Sequence, residues 1–307
     1  MSGDGPVVVL AGGTGGAKLA RGLLDVVAED LVVVANTGDD VEIYGAYVSP
    51  DPDLISFWLA DRIDERGWGL RDDTFAVMDG LRELGVDVWF NLGDCDLAIG
   101  IERARALDAG ATLTEAQTQL TTILGIAAHV LPMTDRPVRT RVLAAGRWWP
   151  LQEFMIRHRG EGPIEDVDFR HARAAPPTAA VLEALRTARA IVIGPSNPVI
   201  SIGPILALPG ATEAIAASAA PIVAVSPLVR GTVIKGPTEA CLRWAGHPLN
   251  SAGIAAVYAG LIDGLVADDR TGALPILETD VLMDTPEQRS RLAEETLHFA
   301  LALSNRS

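Results

Sequence analysis

The chain has 307 residues, 49% of them hydrophobic and 21% charged, with a formal net charge of −15. That apolar content excludes a disordered chain and supplies the core of one large or two modest domains. No apolar run reaches the ~18 residues of a membrane span, and an acidic chain without a basic stripe is a poor partner for nucleic acid.

The opening MSGDGPVVVLAGG has no basic segment and no cleavage site, so a cytoplasmic protein is expected. Val7 to Ala11 is a short apolar run bounded by glycines and predicts a buried parallel strand. Gly12-Gly13-Thr14-Gly15-Gly16 follows, and Ala17 to Val27 has helical spacing with Leu19, Leu23 and Leu24 on one face. A second buried strand over Leu31 to Ala35 ends at Asn36-Thr37-Gly38-Asp39-Asp40. This strand, glycine loop, helix and strand form the first half of a doubly wound sheet. Helices are expected over Leu54–Asp61, Thr74–Leu84, Ala98–Ala109 and Leu113–Leu124, and a strand over Val86–Phe90 entering Asn91-Leu92-Gly93-Asp94. Strands at Ile126–Leu131 and Arg139–Ala144, with Trp148, Trp149 and Phe154 among charges, break the regular alternation. Residues 125–178 therefore predict an inserted α+β lobe in a Rossmann-like core of residues 1–124 and 179–307. Alternation returns with a helix over Thr178–Arg189 and a strand over Ala190–Ile193 before Gly194-Pro195-Ser196-Asn197-Pro198. A strand over Pro221–Val225 ends in Ser226-Pro227, and helices are expected at Leu249–Leu261 and Glu287–Leu303. The fold class is α/β, a doubly wound, mostly parallel sheet with an insertion.

Glycines between a strand and a helix let backbone N–H groups approach an anion, with the helix dipole behind them. Gly12, Gly13, Thr14, Gly15 and Gly16 are thus candidates for phosphate binding. The loop is not a Walker A motif, because Leu19 follows Lys18, and it lacks the third glycine of GxGxxG. The chain has two lysines, Lys18 and Lys235, each beside a glycine-rich turn. A compact ammonium there suits a phosphate. Asp39, Asp40, Asp51 and Asp53 cluster after the second strand and repel one another unless solvated or neutralised. A hard cation such as Mg2+ bridging phosphates would neutralise them; capping of the next helix is the other role open to Asp53. Ser196, Asn197 and Ser226 stand at further strand ends and could read a base edge or a phosphate. Cys95, between Asp94 and Asp96, is no activated thiolate, since nearby negative charge raises a thiol pKa. Two cysteines make no disulfide framework, and no histidine pair or GxSxG elbow supports zinc or serine hydrolase chemistry.

In order along the chain, GGTGGAKL, NTGDD, SPDPD, RGWGLRDDTF, NLGDCDLA, GPSNPVISIGPIL and VSPLVRG resemble the 2-phospho-L-lactate transferase family of coenzyme F420 biosynthesis. The resemblance runs from about Val7 to Leu303. It implies a Mg2+-dependent transfer of a phosphoacid from a guanosine diphosphate-linked donor to the deazaflavin Fo, with GMP leaving. Carried over, it assigns the glycine loop and the GPSNP turn to nucleotide and phosphates, with Lys18 or Lys235 assisting. Asp40 and Asp51 become the metal ligands. Asp53, Asn91 and Asp94 become Fo contacts, and Asp51 or Asp53 would orient the incoming hydroxyl.

Relatives usually carry Arg or Lys where this chain has Cys95, followed by an Ala-Thr-His stretch in place of Ala98-Ile99-Gly100. Cys95 is therefore expected to mark donor specificity among 2-phospholactate, phosphoenolpyruvate and 3-phosphoglycerate, with 3-phosphoglycerate a serious candidate. Two other classes compete. A non-catalytic nucleotide-sugar-binding regulator of the YvcK-like branch would be expected to lack the SPDPD and LGD-x-D aspartates. A dinucleotide-dependent oxidoreductase would need a complete glycine fingerprint. The expected partners are small-molecule substrates, with no membrane or nucleic acid, in a homodimer built on the terminal helix and the Trp148-Trp149 pair.

Overall fold

The computed structural model describes residues 5–270 and 274–304, so residues 1–4 of the opening stretch lie outside it. A seven-stranded sheet forms the centre, in the order Ile276–Glu278, Gly264–Ala267, Ile222–Val225, Ala190–Ile193, β1 (Val7–Ala11), β2 (Leu31–Ala35), His129–Pro132. Every pairing in it is parallel. β1 and β2 are buried at every position. Their unbroken apolar runs follow from cover on both faces. Val8, Leu10, Val32 and Val34 turn to one core, with Leu185 and Ile215 from helices on that side. Val7, Val9, Leu31 and Val33 turn to the other, against α1 (Gly13–Val27) and the helix Pro286–Ser304. Among the described residues no helix is long and apolar enough to cross a membrane.

Several expectations shift. The strand expected over 126–131 is His129–Pro132 and pairs with β2, so the chain is still in the central sheet there. The antiparallel insertion is a separate three-stranded sheet of Arg139–Ala144, Arg147–Pro150 and Ile164–Arg170. Val86–Phe90 is not a strand. Its alternation instead reflects Val88 and Phe90 packing on Met78 and Leu92 in a small satellite core. A hairpin of Val41–Ile43 and Ala46–Val48 is also present. Its turn places Tyr44 at φ 54° and Gly45 at φ 78°, the mirror-image conformation that tight hairpins favour. Tyr44 is held there by its ring in that satellite core and its hydroxyl, which accepts the Phe90 N–H at 3.2 Å.

Part of the apolar surface invoked for a dimer is used inside the chain. Leu292, Ala293, Leu297 and Ala300 of the terminal helix are buried against the sheet. Trp149 packs on the insertion's core and stacks on His158 at 5.2 Å.

Candidate active site

β1 and Ala190–Ile193 are neighbours in the sheet, but the chain leaves them in opposite directions, toward β2 and toward Ile222–Val225. That divergence opens a crevice at the carboxyl ends of the strands. The glycine segment is less a loop than a helix start, since α1 begins at Gly13. A Cβ on Gly15 would lie 2.0 Å from the Pro195 carbonyl oxygen, and one on Gly16 would lie 2.7 Å from Ser196 Oγ. These two glycines let α1 and the GPSNP turn touch. Gly13 differs, with φ +65° and open space at its Cβ position. The first N–H groups of α1 have no intrahelical acceptor and carry the positive end of its dipole.

The four aspartates are all buried. α2 (Pro50–Leu59) starts before Asp53, which therefore lies inside the first turn and accepts the Ser49 N–H at 3.3 Å instead of serving as the N-cap. Asp53 also receives both guanidinium arms of Arg103, the two side chains being 5% and 3% exposed. Asp51 accepts the Gly13 N–H at 2.5 Å and the Asn36 amide at 2.8 Å, tying α1, β2 and α2 together. Asp40 accepts the hydroxyls of Ser49 at 2.6 Å and Tyr47 at 2.9 Å. Asp39 takes the Gln152 amide at 3.0 Å on one oxygen, while its buried Oδ1 has no partner among the described residues. Burial, with Asp51 and Asp40 alongside, pushes the Asp39 carboxyl well above the usual range. Burial lifts Asp40 to about 7, and lifts Asp51 to about 6 against the hydrogen bonds from Asn36 and Gly13.

These raised values fix the sign of a pH effect. Carboxyls that titrate higher in the fold than their ordinary 3.8 stabilise it fully below that value; the contribution is lost as pH rises through the folded value. Between pH 4 and 7 their part of the stability should fall, and a divalent cation that neutralises them should restore it. Millimolar Mg2+ is therefore expected to raise Tm more at pH 8 than at pH 5 in scanning fluorimetry. A Tm indifferent to Mg2+ at both values would contradict this.

A cavity of about 480 Å³ lies over this corner. Gly13, Thr14, Asp39 and Asp51 are part of its lining, and Phe57, Trp68, Trp89 and Phe90 supply aromatic wall. Asp53, Asn91, Asp96, Gln152, Ser201 and Lys235 also line it. Asn91 Oδ1 is held by Arg82 at 2.6 Å. Arg157 lies over the Trp89 ring at 5.3 Å and pairs with Asp87 at 2.5 Å, tying the insertion's short helix to the 84–91 segment.

Not every predicted residue reaches this cavity. Lys18 pairs instead with Asp284 at 3.1 Å. Gly12 donates to Ser196 Oγ at 3.3 Å. Asn197 Oδ1 accepts the N–H groups of Val199 and Ile200, and Ser226 Oγ accepts that of Leu228. The polar groups of these turns thus hold the turns themselves. Asp40 lines a second cavity on the far side of Asp39. Cys95 is exposed and outside the cavity wall, with its thiol pKa raised chiefly by Asp73.

Asp94 is a structural cap. It begins α4 (Asp94–Asp108), yet its carboxylate accepts from Thr74 Oγ1 and from the N–H groups of Ala76 and Val77, which open α3 (Ala76–Glu83). Asp73 returns the arrangement by accepting the N–H groups of Cys95 and Asp96 in α4. Asp94→Ala is expected to speed amide hydrogen exchange at Ala76 and Val77 while leaving β1 and β2 protected; unchanged exchange in α3 would refute the cap. The cavity residues to which the motif reading gives no role are Trp68, Trp89, Phe90, Asp96 and Gln152, and it reads Asp39 only as one of four clustered carboxylates. Their signals are the aromatics inside RGWG and VWFN.

Residues 7–292 match the family model described as CofD, 2-phospho-L-lactate transferase. A 2-phospho-L-lactate transferase of Methanosarcina mazei is 36% identical, over 94% of this chain and 98% of its own. A phosphoenolpyruvate transferase of Thermobifida fusca is 36% identical, over 98% of this chain and 99% of its own. A crystal structure of a UPF0052 family protein from Bacillus halodurans superposes with a TM-score of 0.61 at 17% identity, covering 96% of this chain and 99% of that one, and shares the fold. The family match spans the central sheet, the insertion and every residue of the cavity wall, and on it the chain belongs to the 2-phospho-L-lactate transferase (CofD) family.

Proposed function

We propose that the chain moves a three-carbon phosphoacid from a guanosine diphosphate-linked donor onto the terminal ribityl hydroxyl of the deazaflavin Fo, releasing GMP, in coenzyme F420 biosynthesis. The observation that carries this reading is one cavity combining an aromatic wall with the start of α1 and the carboxyls of Asp39 and Asp51. A flat tricyclic ring suits Trp68, Trp89 and Phe90, each stacked contact contributing about 0.5–1.5 kcal/mol. A diphosphate suits the N–H groups of the helix start that follow Gly13, whose own N–H is held by Asp51. Lys235, exposed and with no acidic partner among the described residues, would meet donor phosphates at the cavity rim. Asn91 would offer its amide N–H2 to Fo while Arg82 holds its oxygen.

The donor set fits Mg2+. The unpartnered Asp39 Oδ1 and the mutual repulsion of Asp39 and Asp51 call for a cation. No group of three ligating side chains is arranged for a metal among the described residues, so the carboxylates alone would not enclose an ion and the donor phosphates would have to share in holding it. Asp39 and Asp51 would hold it, in place of the Asp40 and Asp51 pair implied by the resemblance, because Asp40 lines the second cavity and not this one. When bound, the ion neutralises charge on the diphosphate and the leaving phosphate. Asp51 meanwhile keeps the Gly13 N–H in place, so the glycine turn and the carboxyl pair are set by one side chain.

Relatives named for 2-phospholactate and for phosphoenolpyruvate are equally identical to this chain, at 36%. Overall identity therefore does not choose the acid. For the donor we keep 3-phosphoglycerate as a candidate on the resemblance alone, in which relatives usually carry a long cation where this chain has Cys95; Cys95 itself is exposed and outside the cavity wall, so it would act from beyond that wall. Cys95→Arg should then change the ranking of the three donors, and an unchanged ranking would reject it.

The acceptor site is tested by titrating Fo, followed by its own fluorescence, into wild type and Trp89→Ala. The expected loss is about tenfold in affinity, near 1.4 kcal/mol. Equal affinities would reject the aromatic cavity as the Fo site.

A further inference from the structure

Four carboxyl and amide side chains around the cavity already have partners. Asp53 has Arg103 on both of its oxygens, and Asp51 holds Gly13 and Asn36. Asp39 holds Gln152, and Asn91 is held by Arg82. Asp96 is different. It lines the same cavity, and its carboxylate accepts no hydrogen bond from any described residue. Its backbone is fixed, because Asp73 accepts its N–H at 3.1 Å in the first turn of α4.

We propose that Asp96 is the base that takes the proton from the attacking hydroxyl of the acceptor. The inference rests on the transferase reading above and adds to it the residue that handles the proton. The hydroxyl oxygen bonds to the phosphorus that carries the phosphoacid. The bridging P–O bond to the guanylyl phosphate breaks, and its electron pair leaves on GMP. The hydroxyl proton passes to an Asp96 oxygen and then to solvent. Asp53 is unsuited to this, since proton uptake there would unmake its pair with the buried Arg103.

The electrostatic setting agrees with the geometry. The charged groups facing Asp96 are Asp53 from α2, Asp73 from the loop before α3 and Arg103 from its own helix. Burial, then the two carboxylates, lift it to about 7 against the pull of Arg103. A base works best with a pKa near the operating pH. It acts only when unprotonated, so turnover should rise with pH through about 7.

The test is a pH profile of kcat for wild type, Asp96→Asn and Asp96→Glu, with Fo affinity measured in parallel by fluorescence. Asp96→Asn should lower kcat about 10²–10⁴-fold, abolish the limb near pH 7 and leave Fo affinity unchanged. Asp96→Glu keeps a carboxylate, so it should retain a limb at a shifted pH and an intermediate kcat. A wild-type limb that persists in Asp96→Asn, or an Asp96→Asn kcat equal to wild type, would overturn the proposal. Misfolding of the Asn variant would leave the Glu variant to decide, and a Glu profile with no limb would also overturn it. No product from wild type with any donor would instead overturn the transferase reading, and the role of Asp96 with it.

Discussion

Arg103→Met should destabilise the protein by about 3–5 kcal/mol, because it leaves a buried carboxylate without its partner. The Arg103 and Asp53 side chains are 3% and 5% exposed. Arg103 also donates to the Tyr47 carbonyl at 3.0 Å, so it joins α4 to α2 and to the hairpin that carries Tyr44. Methionine fills much of the volume but supplies no charge and no donor. Urea denaturation gives the loss directly, and a cost below about 1 kcal/mol would mean that water or a rearrangement replaces the pair. Arg103→Met combined with Asp53→Leu should recover most of the loss, because removing both charges also removes the desolvation cost. Recovery in the double variant would separate the penalty of an orphaned charge from the packing value of the arginine.

Asp51→Asn should lower kcat/KM by about 10²–10³-fold with little loss of stability. The two side chains have the same shape. However, Asp51 receives two donors, the Gly13 N–H and the Asn36 amide, on two different oxygens. An asparagine must present its NH2 to one of them, which releases either the start of α1 or the end of β2. It also removes half of the carboxyl pair proposed to hold the cation. Since Asp51 titrates near 6 in the fold, its charge costs stability at neutral pH, and the Tm at pH 8 without Mg2+ should hold or rise. That combination, a collapsed rate on an intact fold, is typical of residues kept for function at a cost in stability. An Asp51→Asn enzyme within about threefold of wild type would remove Asp51 from the chemistry.

The parts of this molecule legible from sequence are those set by local pattern. β1 and β2 were bounded to the residue, because an apolar run between glycines is what a strand covered on both faces requires. Val86–Phe90 misled for the same reason. Its alternation is real, but it serves the satellite core around Met78 and Leu92. The glycine motif located the crevice while concealing the division of labour inside it. Gly15 and Gly16 are glycines because Pro195 and Ser196 come too close for a side chain. Lys18 lies beside the motif in sequence, yet one further turn of helix brings it to Asp284.

Side-chain partners were the least legible. Ser196, Asn197, Ser226 and Asp94 look like ligand groups in a motif, and each satisfies backbone or side-chain donors of the protein. The wall of Trp68, Trp89 and Phe90 comes from two segments that meet only in the fold. No periodicity connects them.

In the proposed reaction this cavity joins Fo to a guanylylated phosphoacid. The most direct measurement is mass spectrometry of reactions containing the purified protein, Mg2+, Fo and one of the three donors, 2-phospholactyl, enolpyruvyl phosphate or 3-phosphoglyceryl. A product of the mass of Fo plus the phosphoacid, with stoichiometric GMP, is expected from wild type and suppressed in Asp51→Asn. No product from any donor, with Fo failing to bind, would contradict it and leave a nucleotide-binding protein without this chemistry.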